Sequence, residues 1–203
     1  MLAQFKTNLH SAVIYSIGRF GLNLFLRKRS LSHGRDASCL LPQPVLRQVA
    51  QPVDDITDDI LQLANNMAET MYAAPGIGLA ANQVGLLKRV IVMDCARGDE
   101  PPDLWKMINP EIIWLSEENT KMEEGCLSIP GHNAEVVRPS EVHVSYLDIE
   151  GQKQEMHATG LLAACIQHEI DHLNGVLFLD HLSRLKRDMI MRKVIKENRT
   201  QND

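Results

Sequence analysis

Two histidines four residues apart, His168 and His172 in the stretch QHEIDHLNG, constrain this chain of 203 residues more than any other feature. Positions four apart share one face of an α-helix, so a helix here presents both imidazoles to a single point. Leu161, Ala164 and Cys165 fall on much the same side, one and two turns upstream, and would line an apolar pocket beside that point. The expected helix spans 160–174, with Gly175 positioned to end it in a left-handed conformation. Glu169 is turned by about 100° from His168. It lies near enough to handle protons beside a bound metal without ligating it, the role glutamate takes in HExxH helices. A surface helix whose histidines merely meet water would have the same spacing, but the apolar neighbours disfavour it.

Two imidazoles make half a metal site, and the third protein ligand is not nearby. In the pattern HExxHxxGxxH, Gly175 falls where it should, but Phe178 occupies the closing histidine position and cannot coordinate. The only glutamate further downstream is Glu197, in a basic tail. The third ligand must therefore come from upstream. Cys126, in EEGCLSIP, places a thiol in what reads as a tight glycine-containing loop ended by proline. A thiolate is a good ligand for a borderline divalent metal, although a cysteine taken alone is more often a small buried hydrophobe. The glycines of GIGLAANQ, residues 76–83, commonly mark turns, and they do not follow a strand as a dinucleotide-binding fingerprint would.

The rest of the chain predicts a frame of short strands and helices. Ile60, Ala64, Met67, Ala68 and Met71 recur at helical spacing, Thr57 can cap that helix, and it ends near residues 73–76. RVIVMD (89–94) reads as a strand, and residues 107–114 as another interrupted by Pro110. Residues 97–103 read as a loop, and Val142, Val144 and Tyr146 alternate with His143 and Ser145 as in a half-buried strand. Residues 149–152 look like a hairpin turn. A last helix over about 182–197 has Leu182, Leu185, Met189 and Val194 on one side. The expectation is one α+β domain, with short mixed or antiparallel strands around a central HExxH helix and a helix at the C-terminal end.

Charge divides the chain. Residues 1–41 carry six Lys/Arg and one acid, whereas residues 42–203 carry fifteen against twenty-five. An acidic body argues against a DNA-binding surface. The basic, acid-poor segment 1–41 is set apart as an N-terminal extension and 42–203 as the catalytic domain. The extension suits an organelle transit peptide, and equally an unstructured leader or an upstream start codon in a bacterial gene. No run approaches the roughly 18 apolar residues of a membrane span. Cys39, Cys95, Cys126 and Cys165 show no CxxC spacing and read as reduced thiols.

GxGLAAxQ, EGCLS and QHExDH, in this order and at roughly this spacing, resemble the three motifs of the peptide deformylases. The resemblance runs from about Pro44 to Leu185. It implies Cys126, His168 and His172 as metal ligands and Glu169 as the catalytic acid/base. It further implies the Gln83 side-chain amide and the Leu127 backbone N–H as oxyanion donors. Activated water would attack the formyl carbon of N-formylmethionyl nascent polypeptides and release formate. An extended peptide would pair with the backbone at Gly76–Gly78, and Ile77, Gly78, Leu161, Ala164 and Cys165 would hold the methionine. The resemblance implies ferrous iron natively, and the ligand set equally accepts zinc, nickel or cobalt. Asn133 stands where many relatives have arginine, Ala164 replaces a larger aliphatic residue and implies a roomier pocket, and Gln43 replaces the usual aspartate before Pro44.

Two other readings compete: a zinc peptidase with a different third ligand, and a non-catalytic module that grips N-terminal peptides. The basic C-terminal helix, with Arg184, Lys186, Arg187, Arg192, Lys193 and Lys196, suits docking to ribosomal RNA as well as a plain solvated face. The bacterial cytoplasm is the expected location, with mitochondrion or plastid following if residues 1–41 direct import.

Overall fold

The computed structural model of the chain describes residues 39–200, so nearly all of the expected N-terminal extension lies outside the described residues. Helix α1 (Asp58–Ala73) has Ile60, Leu63, Ala64, Met67, Ala68 and Met71 buried along one face, the stripe that the helical spacing predicts. Thr57 stands at its N-cap position, but the hydroxyl makes no capping bond. Instead the Thr57 carbonyl accepts from the N–H groups of Ile60 and Leu61.

Seven strands follow, β1 (Gly78–Ala80), β2 (Val90–Asp94), β3 (Leu104–Leu115), β4 (Asn119–Cys126), β5 (Ile129–Pro139), β6 (Glu141–Leu147) and β7 (Lys153–Thr159). Five form one sheet in the order β1-β2-β3-β6-β7, and every neighbouring pair is antiparallel. Strands β4 and β5 form a separate hairpin. Among the described residues the only parallel pairing is an isolated bridge between Gln51 and Lys88. The architecture is α+β, as the sequence predicts.

Helix α2 (Gly160–Leu173) carries the paired histidines and lies on one face of the large sheet, while α1 covers the other. Strand β2 is buried throughout because it lies between them: Val90 and Val92 pack toward α1, and Ile91 and Met93 toward α2. A third cluster joins the β4–β5 hairpin, through Cys126, Ile129, Ala134 and Val136, to Leu177–Leu179 and to Ile190 and Val194 of α3 (Arg184–Thr200).

Three expectations change. Strand β3 is longer than the alternation suggests, because Pro110 sits in a register shift between Ile108 and Glu111 that leaves the strand continuous. The EEGC segment is strand rather than loop, and Leu127–Ser128 makes the turn. On α3 the buried side is Ile190 and Val194, whereas Leu185 and Met189 are exposed. Gly175 does end α2 with φ +73°, and a Cβ there would lie 2.5 Å from the Arg47 carbonyl oxygen.

Candidate metal centre

Three elements converge beside α2. Strand β4 brings Cys126 to its end, α2 supplies His168, Glu169 and His172, and the turn Ala81–Val84 after β1 supplies Gln83. One ligand atom from each of Cys126, His168 and His172 can be chosen so that all three lie within 4.8 Å of one another. Cys126 Sγ is 3.1 Å from His172 Nε2, and the two imidazole centroids are 4.9 Å apart. All three residues are buried. Their histidine spacing is local and was legible as a helix face, whereas Cys126 arrives only through the packing of a hairpin more than 40 residues away.

The electrostatics suit a cation. Burial alone would push the Cys126 thiol up, but His172 and His168 outweigh it and hold the group down at about 5. The sulfur is therefore a thiolate at neutral pH, facing two imidazoles, and a thiolate with two imidazoles is a donor set for a borderline divalent metal. Among the described residues, Nδ1 of His172 and Oε2 of Glu169 are buried side-chain atoms without a hydrogen-bond partner. Glu169 is raised to about 7, chiefly by burial, which outweighs the lowering effect of the two imidazoles. A carboxyl so placed exchanges a proton readily near neutral pH.

A small cavity of about 20 Å³, room for a single solvent molecule, opens on this cluster. Its walls are Gly76, Ile77, Gly78, Gln83, Gly125, Cys126, Leu127, Cys165, His168 and Glu169. Of the residues expected to hold methionine, Ile77, Gly78 and Cys165 line it, whereas Leu161 and Ala164 do not. Gln83 is fixed from behind: its Oε1 accepts from the Ala80 N–H at 2.8 Å. That leaves Nε2 directed at Ser128 Oγ (3.2 Å) and Cys126 Sγ (3.4 Å). Strand β1 is an edge strand of the sheet, the position at which an extended peptide can add. Beyond Ile77 a wider cavity of about 310 Å³ continues along Tyr72, Pro75, Asp94 and Pro102.

Sequence reasoning gave no role to the groups behind His168. Its Nδ1 donates to Glu124 Oε2 at 2.9 Å, and Arg138 grips the same carboxylate through Nε (2.6 Å) and Nη2 (3.1 Å). Burial alone would raise Glu124, but His168 and Arg138 hold it at about 2. Glu124 stands two residues before Cys126, but the register shift between them breaks the alternation that would have flagged it. Arg138 gave no signal either, because its approach depends on the β4–β5 register.

The sequence profile of the polypeptide deformylase family matches residues 39–188. The chain belongs to this family. It is 55% identical to the peptide deformylase of Rhizobium meliloti (strain 1021) over 161 residues, 79% of this chain and 92% of that one. It is 56% identical to the peptide deformylase of Mesorhizobium japonicum over 154 residues, 76% of this chain and 88% of that one. Among solved structures, the peptide deformylase of Ehrlichia chaffeensis superposes with a TM-score of 0.80 at 40% identity, covering 84% of this chain and 100% of that one. A plant peptide deformylase, PDF1B, superposes with a TM-score of 0.77 at 32% identity, covering 86% and 94%.

Proposed function

We propose that the protein is a metal-dependent peptide deformylase, a hydrolase that removes the N-formyl group from the N-terminal methionine of newly made polypeptides and releases formate. The observation that carries this reading is the convergence of one thiolate and two imidazoles beside a buried glutamate, in a chain of the deformylase family. Cys126, His168 and His172 would hold one divalent ion. Such an ion, when bound, lowers the pKa of water toward neutrality and polarises a carbonyl oxygen.

The remaining work belongs to the chain. The backbone at Gly76–Gly78, which leads into the edge strand β1, orients the peptide as an added strand, and Ile77, Gly78 and Cys165 contribute the wall against which the methionine side chain rests, with Leu161 and Ala164 further up α2. Glu169 takes the water proton and delivers it to the leaving amine, as its pKa of about 7 allows. Gln83 Nε2 and the Leu127 N–H donate to the oxygen that gains charge as the formyl carbon becomes tetrahedral, a contribution of about 3–4 kcal/mol per donor. Ala80 fixes the Gln83 amide through Oε1, and Nε2 turns to the oxyanion by exchanging one of its bonds to Ser128 Oγ and Cys126 Sγ.

The test is formate release from a formyl-Met peptide by protein loaded with iron, cobalt, nickel or zinc. Release that depends on metal, and metal that is lost in Cys126→Ala, supports the reading. No release at any loading favours a peptide-gripping module, and a Cys126→Ala protein that keeps its metal favours a zinc peptidase with another third ligand. Ferrous iron is the native ion in this reading, and the iron form should lose activity in air faster than the nickel form.

The substrate emerges at the ribosome, and α3 exposes Arg184, Lys186, Arg192, Lys193 and Lys196 around its buried Ile190 and Val194. We assign this basic face to ribosome docking. Because Ile190 and Val194 are buried, charge reversal tests it better than deletion, and co-sedimentation unchanged by that reversal would end the idea. No helix among the described residues is long and apolar enough to cross a membrane. The location proposed is the bacterial cytoplasm, with residues 1–41 a leader outside the catalytic domain. Sequencing the mature N-terminus tests it: cleavage near residues 30–40 would instead mean import into an organelle.

A further inference from the structure

The chain of ionic contacts behind His168 does not stop at Arg138. Arg138, only 5% exposed, uses Nε and Nη2 on Glu124 and turns Nη1 to Asp171 Oδ2 at 2.8 Å. The same oxygen of Asp171 accepts from His181 Nε2 at 2.7 Å. Along the path the Glu124 carboxylate, the Arg138 guanidinium and the Asp171 carboxylate alternate in charge, and an imidazole at the surface donates to the last of them. Four separate segments contribute, β4, β5, α2 and the turn Phe178–His181.

The path also closes on itself. Asp171 and His168 lie three residues apart on α2 and so share a face. The circuit therefore runs from His168 to Glu124, to Arg138, to Asp171, and back to His168 through one turn of helix. In such a ring each side chain is fixed from two directions. A carboxylate can only accept, so the bond to Glu124 places a hydrogen on His168 Nδ1 and leaves Nε2 as the atom that would ligate an ion. Arg138 offers a planar fork matched to Glu124 on one side. The third contact, from Nη1 to Asp171, holds that fork from its other side, and His181 holds Asp171 from outside.

We propose that Asp171 and His181 are remote positioning residues of the metal centre, acting through Arg138 and Glu124 on the orientation of His168. This rests on the metal-binding reading above, though not on the identity of the substrate. The competing account is a purely structural staple that fastens α2 to the β4–β5 hairpin. A staple would change stability and leave the ligand field of a bound ion untouched; a positioning circuit changes the ion itself.

The experiment uses the full chain loaded with cobalt(II), whose visible spectrum reports coordination geometry and thiolate ligation. Asp171→Asn keeps the size of the side chain and removes its charge, Asp171→Glu restores the charge, and His181→Asn alters only the half-exposed end. Outer-shell changes of this kind typically weaken metal binding about 10–100-fold. The expected result is an increase of about 10-fold in the cobalt Kd of Asp171→Asn, measured against a competing chelator, with a shift of the visible bands. Asp171→Glu should recover part of both, and His181→Asn should move both in the same direction by less. Cobalt affinity and spectrum identical to the parent in Asp171→Asn and His181→Asn would overturn the proposal, even if thermal stability fell. Should Asp171→Asn not fold, His181→Asn decides alone, and an unchanged Kd and spectrum there overturns it. A parent protein that binds cobalt through sulfur but releases no formate would count against the proposed function and leave this inference standing.

Discussion

At Gly78 the absence of a side chain is what brings the peptide-binding edge against the catalytic groups. A Cβ there would fall within contact distance of Glu169 Oε1 and 2.9 Å from Cys165 Sγ. Both neighbours are buried, so neither can swing away into solvent. Gly78→Ala is therefore expected to bind metal normally but to lose at least about 10-fold in kcat/KM, the scale of a misplaced catalytic group. Activity equal to the parent would mean that Glu169 is free to move. A second residue-scale expectation concerns Tyr72, whose hydroxyl donates to Asp94 Oδ2 at 2.6 Å. Burial would raise Asp94, but Tyr72 and the N–H groups of Ala96 and Asp103 hold it below the usual range, and Tyr72 is raised to about 12. A depressed carboxylate contributes stability above its unfolded pKa, about 3.9, which is lost as pH falls through the folded value. The raised phenol contributes below its unfolded pKa, about 10, and loses that as pH climbs toward 12. Tyr72→Phe should therefore cost about 1–2 kcal/mol at pH 6, and urea unfolding should find that gap narrowing below pH 4. A gap constant down to pH 3 would contradict the assignment.

At the scale of elements, Gly175 tests how α2 is held. It adopts φ +73° under the Arg47 carbonyl, and Arg47 in turn pairs with Asp180. Gly175→Ala should lower stability by about 1–3 kcal/mol from the backbone conformation alone, and more from the contact with Arg47. A urea midpoint equal to the parent's would mean that this turn relaxes freely. That turn was readable in the sequence because its signal is local, as were the buried stripe of α1 and the histidine face of α2. The β4–β5 hairpin was not readable as strand, because Glu123, Glu124 and Gly125 interrupt the alternation that marks one. Glu124 is nevertheless buried, because Arg138 balances its charge and His168 donates to it. The face of α3 was misjudged for a related reason. With Leu185, Met189, Ile190 and Val194 all apolar, spacing offers two faces, and only the position of the hairpin selects Ile190 and Val194.

At the scale of the whole molecule, the metal centre adds a further link between parts that the Glu124–His168 and Arg138–Asp171 contacts already join. Cys126 belongs to the hairpin cluster, and the imidazoles to the helix under the large sheet. An ion bound by both ties the two together and favours the folded state by mass action, about 2.7 kcal/mol when free metal stands at 100 times its Kd. Removing metal with a chelator should therefore lower the thermal midpoint, and returning it should restore the loss. Cys126→Ala should show no such dependence. A midpoint indifferent to metal in the parent protein would mean that the two parts are held without it.

X-ray absorption at the metal edge of the loaded protein bears most directly on the proposal that this thiolate and these two imidazoles hold one ion. One sulfur at about 2.3 Å and two nitrogens at about 2.0–2.1 Å should fit the spectrum, and the sulfur shell should vanish in Cys126→Ala. A parent spectrum described by nitrogen and oxygen alone would contradict it.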